Sequence, residues 1–202
     1  GTVNLLEFLP QLEYLCFSSS VSVYTQKKSS LGITEETTVS PDTPYGMSKL
    51  AVEHVLTQYG EMKNIPVTLL RFCQLYGPDE PHGMFITRMI AGATQGIIDV
   101  TNGEDCRDIL FVDDAAEAVR LALEKRATGI YLIASGKAQR VQEVAAGIAA
   151  AYGPSVQVIN HGASRNLLYI SYDISRAQKE LGFLPAHPLE SGIPKTIHKK
   201  NE

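Results

Sequence analysis

The sequence predicts a doubly wound, parallel α/β sheet joined to a smaller α/β lobe. Two observations carry this. Tyr14-Leu15-Cys16-Phe17 and Val67 to Phe72 are short, continuous apolar runs, the pattern of strands buried on both faces. A long helix pattern lies between them, and parallel neighbours need such a crossover. Past Gly77-Pro78 the elements become shorter, the texture of a second lobe.

Taken in order, residues 1–10 read as the end of an amphipathic helix with Val3, Leu5, Leu6 and Leu9 apolar and Pro10 closing it. The first strand stops at Ser18-Ser19-Ser20, where polar side chains at a strand end face a site. A polar loop from Thr25 to Thr43 follows, with Glu35-Glu36 as a solvated pair. Pro44, behind Asp42 and Thr43, opens a helix whose apolar positions are Met47, Leu50, Ala51 and Val55 and which fades near Gly60. The strand Val67 to Phe72 is next. A helix over Met84 to Thr94, a strand near Ile97 to Val100 and a strand from Asp108 to Val112 come after it. Asp113 or Asp114 caps a helix with Ala115, Ala118, Val119, Ala122 and Leu123 on its apolar face. Ile130 to Ile133 is a strand, Val141, Val144, Ala145, Ile148 and Tyr152 share a helix face, and Val156 to Ile159 is the next strand. Residues 1–78 form the first domain and 79–202 mainly the second lobe, with about 108–133 returning to the first sheet.

Composition narrows the function. With 202 residues, 44% of them apolar, the chain can bury a sizeable core, and its formal charge of -4 with scattered basic residues leaves no footprint for nucleic acid. No apolar run reaches the length of a membrane span and no signal-peptide pattern is present. Three separated cysteines, Cys16, Cys73 and Cys106, with no C-x-x-C and no histidine at ligand spacing, fit reduced thiols in a cytoplasm and no metal site. The histidines stand apart from any nucleophile and read as surface or capping residues.

Tyr45 and Lys49 stand four apart on one helix, so both project into one volume. An ammonium beside a phenol favours the phenolate, an arrangement suited to proton transfer. The spacing recurs at Tyr24 with Lys28 and at Tyr59 with Lys63, so it does not decide alone. Only Tyr45 follows a proline-capped helix start and a serine-rich strand end.

Phe17-Ser18-Ser19-Ser20-Val21-Ser22-Val23-Tyr24, Pro44-Tyr45-Gly46-Met47-Ser48-Lys49 and Leu70-Arg71-Phe72-Cys73-Gln74-Leu75-Tyr76-Gly77-Pro78 resemble three successive signatures of the extended short-chain dehydrogenase/reductases, the NAD-dependent epimerase/dehydratase family acting on nucleotide sugars. Arg107-Asp108-Ile109-Leu110-Phe111-Val112-Asp113-Asp114 resembles the family's Arg-Asp strand. Asp173-Ile174-Ser175-Arg176-Ala177 with Leu181-Gly182-Phe183-Leu184-Pro185 resembles its C-terminal helix motif. The resemblance implies the C-terminal portion of a Rossmann-type sheet plus a substrate lobe, NAD as cofactor and a nucleotide diphosphate sugar as substrate. It implies Tyr45 as acid/base, Lys49 holding the nicotinamide ribose and easing loss of the tyrosine proton, and Ser20 bonding the reacting oxygen. Ser18, Phe72 and Cys73 would pack near the nicotinamide. Gln74 stands where the family has a substrate-touching asparagine. Arg107 would pair with the diphosphate; its plain alternative is an ion pair with Glu104, Asp105 or Asp108.

Departures matter too. No glycine fingerprint for a pyrophosphate occurs, so the resemblance places Gly1 well inside a longer member, with the nucleotide-binding N-terminal part missing and this chain inactive alone. The acidic pair of the 4,6-dehydratases is replaced by Val21 and Ser22, which favours epimerisation over a related dehydratase or reductase activity. A short binding or assembly module without turnover is the reading of a different class. In family members the helices corresponding to residues 1–10 and 44–60 form a homodimer, the expectation here.

Overall fold

The computed structural model describes residues 1–9, 11–25, 30–162 and 167–198. Helix α1 (Thr2–Glu7) leads to β1 (Leu15–Ser20), a 3₁₀ turn (Val21–Val23), β2 (Ser30–Ile33), α2 (Pro44–Lys63), β3 (Val67–Phe72) and β4 (Gln74–Tyr76). Then come α3 (Phe85–Thr94), β5 (Ile97–Val100), β6 (Cys106–Phe111), α4 (Val112–Lys125), β7 (Gly129–Ile133) and β8 (Ala138–Arg140). Helix α5 (Val141–Tyr152), β9 (Gln157–Asn160), β10 (Ile170–Tyr172), a π-helical turn (Ala177–Leu181) and α6 (Leu189–His198) complete the order.

Strands β1, β3 and β7 form one parallel sheet, with Ser20 opposite Phe72 and Phe72 opposite Ile133. Both faces are covered, as the continuous apolar runs require. On one face Leu69 meets Leu6 of α1 and Leu56 of α2. On the other, Leu70, Phe72 and Tyr131 meet Ala118 and Ala122 of α4 and Phe183. The fold is therefore mixed α/β around a parallel, doubly wound sheet.

Helices α3, α5 and α6 with β5 and β6 pack around a separate core that includes Ile86, Ile90, Ile98, Val144, Ile148 and Ile193, whereas β2, β10 and the π-helical turn join the first core. Strand β6 bonds β4 in parallel and β8 antiparallel, and β5 pairs with β9. Of the stretch 108–133, α4 and β7 pack in the first sheet's layers, while β6 belongs to the β4-β6-β8 sheet.

Several expectations are corrected. Strand β1 does not stop at Ser18 but runs through Ser20, because backbone pairing with β3 is indifferent to the serine side chains. The loop from Thr25 to Thr43 contains β2, which pairs with β10 across 137 or more residues of sequence that no local signal links. Glu35 is not simply solvated: its carboxylate accepts the Leu132 amide at 2.9 Å on the outer edge of β7. Helix α2 passes through Gly60 to Lys63 and closes at Asn64 in the left-handed region; a Cβ on Gly60 would meet the Ile65 carbonyl at 2.7 Å, so glycine there serves close approach, not termination. Met47, Ala51 and Val55 turn outward, and the buried side of α2 is Gly46, Glu53, Leu56 and Gly60. Neither Asp113 nor Asp114 caps α4; both lie in its first turn, with Phe111 at the cap position. Helix α1 is shorter than expected, and Pro10, its expected stop, lies outside the described residues.

Thr43 does cap α2, its hydroxyl accepting the Gly46 amide at 3.0 Å, an interaction worth about 1 kcal/mol. Among the described residues, no helix is long and apolar enough to cross a membrane.

Candidate active site

The carboxyl ends of β1 and β3, the first turns of α2 and the start of the second lobe enclose a cleft of ≈ 1010 Å³. All eight residues singled out in the sequence line it: Ser18 and Ser20 from β1, Tyr45 and Lys49 from α2, Phe72 from β3, Cys73 and Gln74 just beyond it, and Arg107 from β6. Crevices at strand carboxyl ends are where open α/β sheets bind ligands.

Each side chain has a local reason for its place. Ser20 caps the 3₁₀ turn: its hydroxyl accepts the Ser22 amide at 3.2 Å and donates to the Ser22 hydroxyl at 3.2 Å. Helix α2 begins against that turn, since a Cβ on Gly46 would lie 2.0 Å from the Ser22 carbonyl oxygen. This contact brings the neighbouring Tyr45 over the strand end, where it remains 55% exposed and open to a ligand. One turn further, the Lys49 ammonium donates to the Ser18 carbonyl at 2.8 Å. It lies 5.7 Å from the Tyr45 ring centroid and 4.9 Å from that of Phe17. The ammonium is thereby anchored beside the phenol by the strand it faces.

Arg107 forms none of the ion pairs that were its alternative. Glu104 bonds Gln142 and Arg140, Asp105 accepts the Leu168 amide, and Asp108 accepts from Ser135 and Gly136. Its guanidinium carbon lies 5.2 Å from the Phe85 ring centroid, and its Nε is buried with no hydrogen-bond partner among the described residues. A buried donor of that kind is costly to leave unmade, and an anionic group in the cleft could satisfy it.

Asp108 ties the cleft wall to the turn after β7. Its Oδ1 accepts the Ser135 amide at 2.8 Å and the Ser135 hydroxyl at 2.6 Å, and its Oδ2 accepts the Gly136 amide at 3.0 Å. Burial outweighs these bonds and pushes its carboxyl up to about 6. Cys73 is buried beside it, and burial first, then the Asp108 charge, pushes the thiol well above its ordinary value, so it is no nucleophile. Cys106 is buried as well and Cys16 half-buried.

Sequence reading passed over a buried polar group behind the cleft. Glu53, on α2, takes two bonds from Arg71 on β3, Nε to Oε1 at 3.0 Å and Nη2 to Oε2 at 2.7 Å, and a third from the Ser19 hydroxyl. Arg71 Nη1 donates to the Tyr24 hydroxyl at 2.6 Å. Tyr24 is thus a core residue, and Lys28, its partner in one of the recurring spacings, lies outside the described residues. The available signal was spacing: Glu53 follows Tyr45 and Lys49 at the same interval of four, which puts a carboxylate on the helix side that carries the site.

Residues 1–134 match the model of the NAD dependent epimerase/dehydratase family. The dTDP-L-rhamnose 4-epimerase of Burkholderia thailandensis is 32% identical over 168 residues, covering 79% of this chain and 46% of that protein. A putative UDP-glucose 4-epimerase of Methanocaldococcus jannaschii is 28% identical over 208 residues, covering 98% and 67%. The chain thus spans about half of the first relative and two thirds of the second. In fold it is similar to UDP-glucuronic acid 4-epimerase from Bacillus cereus, solved with UDP-glucuronic acid and NAD, at TM-score 0.85 and 24% identity over 99% of this chain and 66% of that one.

Proposed function

The chain belongs to the NAD dependent epimerase/dehydratase family, and from that premise we propose that its cleft takes a nucleotide diphosphate sugar and serves NAD-dependent epimerisation by transient oxidation. The observation that carries this reading is Lys49, whose ammonium is held on the Ser18 carbonyl beside the Tyr45 ring. That arrangement sets a cation beside the Tyr45 ring, whose hydroxyl would take a proton from a sugar hydroxyl and return it. The Ser20 hydroxyl, which donates to the Ser22 hydroxyl at 3.2 Å, would turn its hydrogen to the reacting oxygen. Arg107 would pair through its unsatisfied Nε with the diphosphate, and Gln74 would reach the sugar.

Ser18, Phe72, Cys73 and Lys49 fit the nicotinamide end of NAD, being a polar strand end beside a buried apolar wall. When bound, the nicotinamide supplies the hydride chemistry that lets a sugar carbon invert. Positions 21 and 22 carry no carboxylate, which favours epimerisation over dehydration. The outward apolar side chains of α1 and α2, Val3, Leu5, Met47 and Met62 among them, support a homodimer, to be checked by light scattering. The free thiols fit a cytoplasmic protein.

The test is incubation of the 202-residue chain with NAD and UDP- or dTDP-sugars, read by NMR for the 4-epimer. An epimer formed by the chain and not by Tyr45→Phe supports the reading. An epimer formed equally well by Tyr45→Phe would overturn it.

A further inference from the structure

We propose that Arg71 is the positioning residue of the cleft, one guanidinium that holds both halves of its reacting set in register. The inference rests on the reading of Ser20, Tyr45 and Lys49 as the reacting groups. Tyr45, Lys49 and Glu53 follow one another at intervals of four along α2, so they share one face, and what fixes Glu53 fixes the roll and advance of the other two. Arg71 fixes it with a two-pronged pair at 3.0 and 2.7 Å, both side chains only 4% exposed, and Ser19 of β1 adds its hydroxyl. The third prong, Nη1, grips Tyr24 at 2.6 Å, directly after the 3₁₀ turn that Ser20 caps. Tyr24 in turn donates to the Thr34 carbonyl at 3.1 Å. Helix and turn are therefore both referenced to one group on the central strand β3.

The pair is a poor device for stability alone, because removing two charges from water offsets most of what their attraction returns. Its fork gives direction instead, which a lysine at the same place lacks. Burial opposes the Arg71 charge, and Glu53 more than restores it, so the guanidinium stays charged in the interior.

The test reads Lys49 directly, without cofactor or substrate, so it stands or falls apart from any turnover by the chain. Each lysine of the folded chain is acetylated with acetic anhydride and its rate followed by mass spectrometry, in wild type and in Arg71→Lys. Loss of alignment frees the ammonium from the Ser18 carbonyl, so Lys49 should react about fivefold faster, the factor that goes with one ordinary hydrogen bond. Lys63, at the far end of the same helix, should keep its rate. An unchanged Lys49, or a uniform rise at Lys49, Lys63 and Lys125, overturns the proposal. If Arg71→Lys does not fold, Glu53→Gln, which keeps the shape of the carboxylate, is read in the same way and decides by the same two outcomes.

Discussion

Gly46 lies so close to Ser22 that a Cβ on it would stand 2.0 Å from the Ser22 carbonyl oxygen and 3.1 Å from Pro41 Cβ. The obstacle is backbone, which cannot swing aside. Gly46→Ala sets a helix-propensity gain of at most about 1 kcal/mol against overpacking of about 1–3 kcal/mol. The clash wins because α2 must lift off the turn, and Tyr45 lifts with it. Urea unfolding should show a net loss of stability, together with a larger proportional loss of any epimerase turnover.

Tyr45→Phe should do the opposite. The side chain is 55% exposed, so stability should stay within about 0.5 kcal/mol of wild type. Proton transfer to and from the sugar hydroxyl should disappear while sugar-nucleotide affinity, measured by calorimetry, persists. Unchanged turnover would remove Tyr45 from the mechanism.

Asp108 sets a pH dependence. Its carboxyl titrates at about 6 in the fold, against about 3.9 in an unfolded chain, so between those values the native state holds the extra proton. Stability from this group is full below about pH 4 and is lost as pH rises through about 6, a change of about 3 kcal/mol by linkage. Asp108→Asn cannot titrate. Urea unfolding at pH 4 and pH 7 should therefore show the wild type losing ground to the variant with rising pH; a difference independent of pH would contradict the assignment.

Asp114 anchors the last helix. Buried in the first turn of α4, it accepts the Ala186 amide at 3.1 Å, the His187 amide at 3.0 Å and contacts His187 Nδ1 at 2.8 Å. Asp114→Ala leaves those two amides without an acceptor, a cost of about 2–4 kcal/mol. Hydrogen exchange should rise in α6 well before it rises in α2.

Much of this was legible because period and punctuation are local. Val67 to Phe72 and Ile97 to Val100 are strands as read, and Thr43-Pro44 starts its helix, since caps and apolar runs need no partner to be recognised. Of the eight candidate residues lining the cleft, Ser18, Ser20, Tyr45 and Lys49 were legible from a strand end and a capped helix start, and the other four only from the family resemblance. What escaped was relational. The β2–β10 pairing, the Asp114 bonds to Ala186 and His187 and the Arg71–Glu53 pair each join segments far apart, and no periodicity announces such a partner. Glu53 also misled the reading of α2: a charged residue on the buried face made the outward methionine and valine look like the core side.

The three serines of β1 are chemically identical neighbours with divided duties. Alternation along a strand sends Ser19 to Glu53, on the helix side, and sets Ser18 and Ser20 on the other. A slip of one residue would still leave a hydroxyl at two of the three positions, so the serines themselves offer little resistance to it. The alignment of β1 is guarded instead by its unlike flanks, Phe17 below, on the helix side, and Val21 above, buried on the far side of the sheet. Function at this strand therefore depends as much on those two apolar bookends as on the polar letters between them.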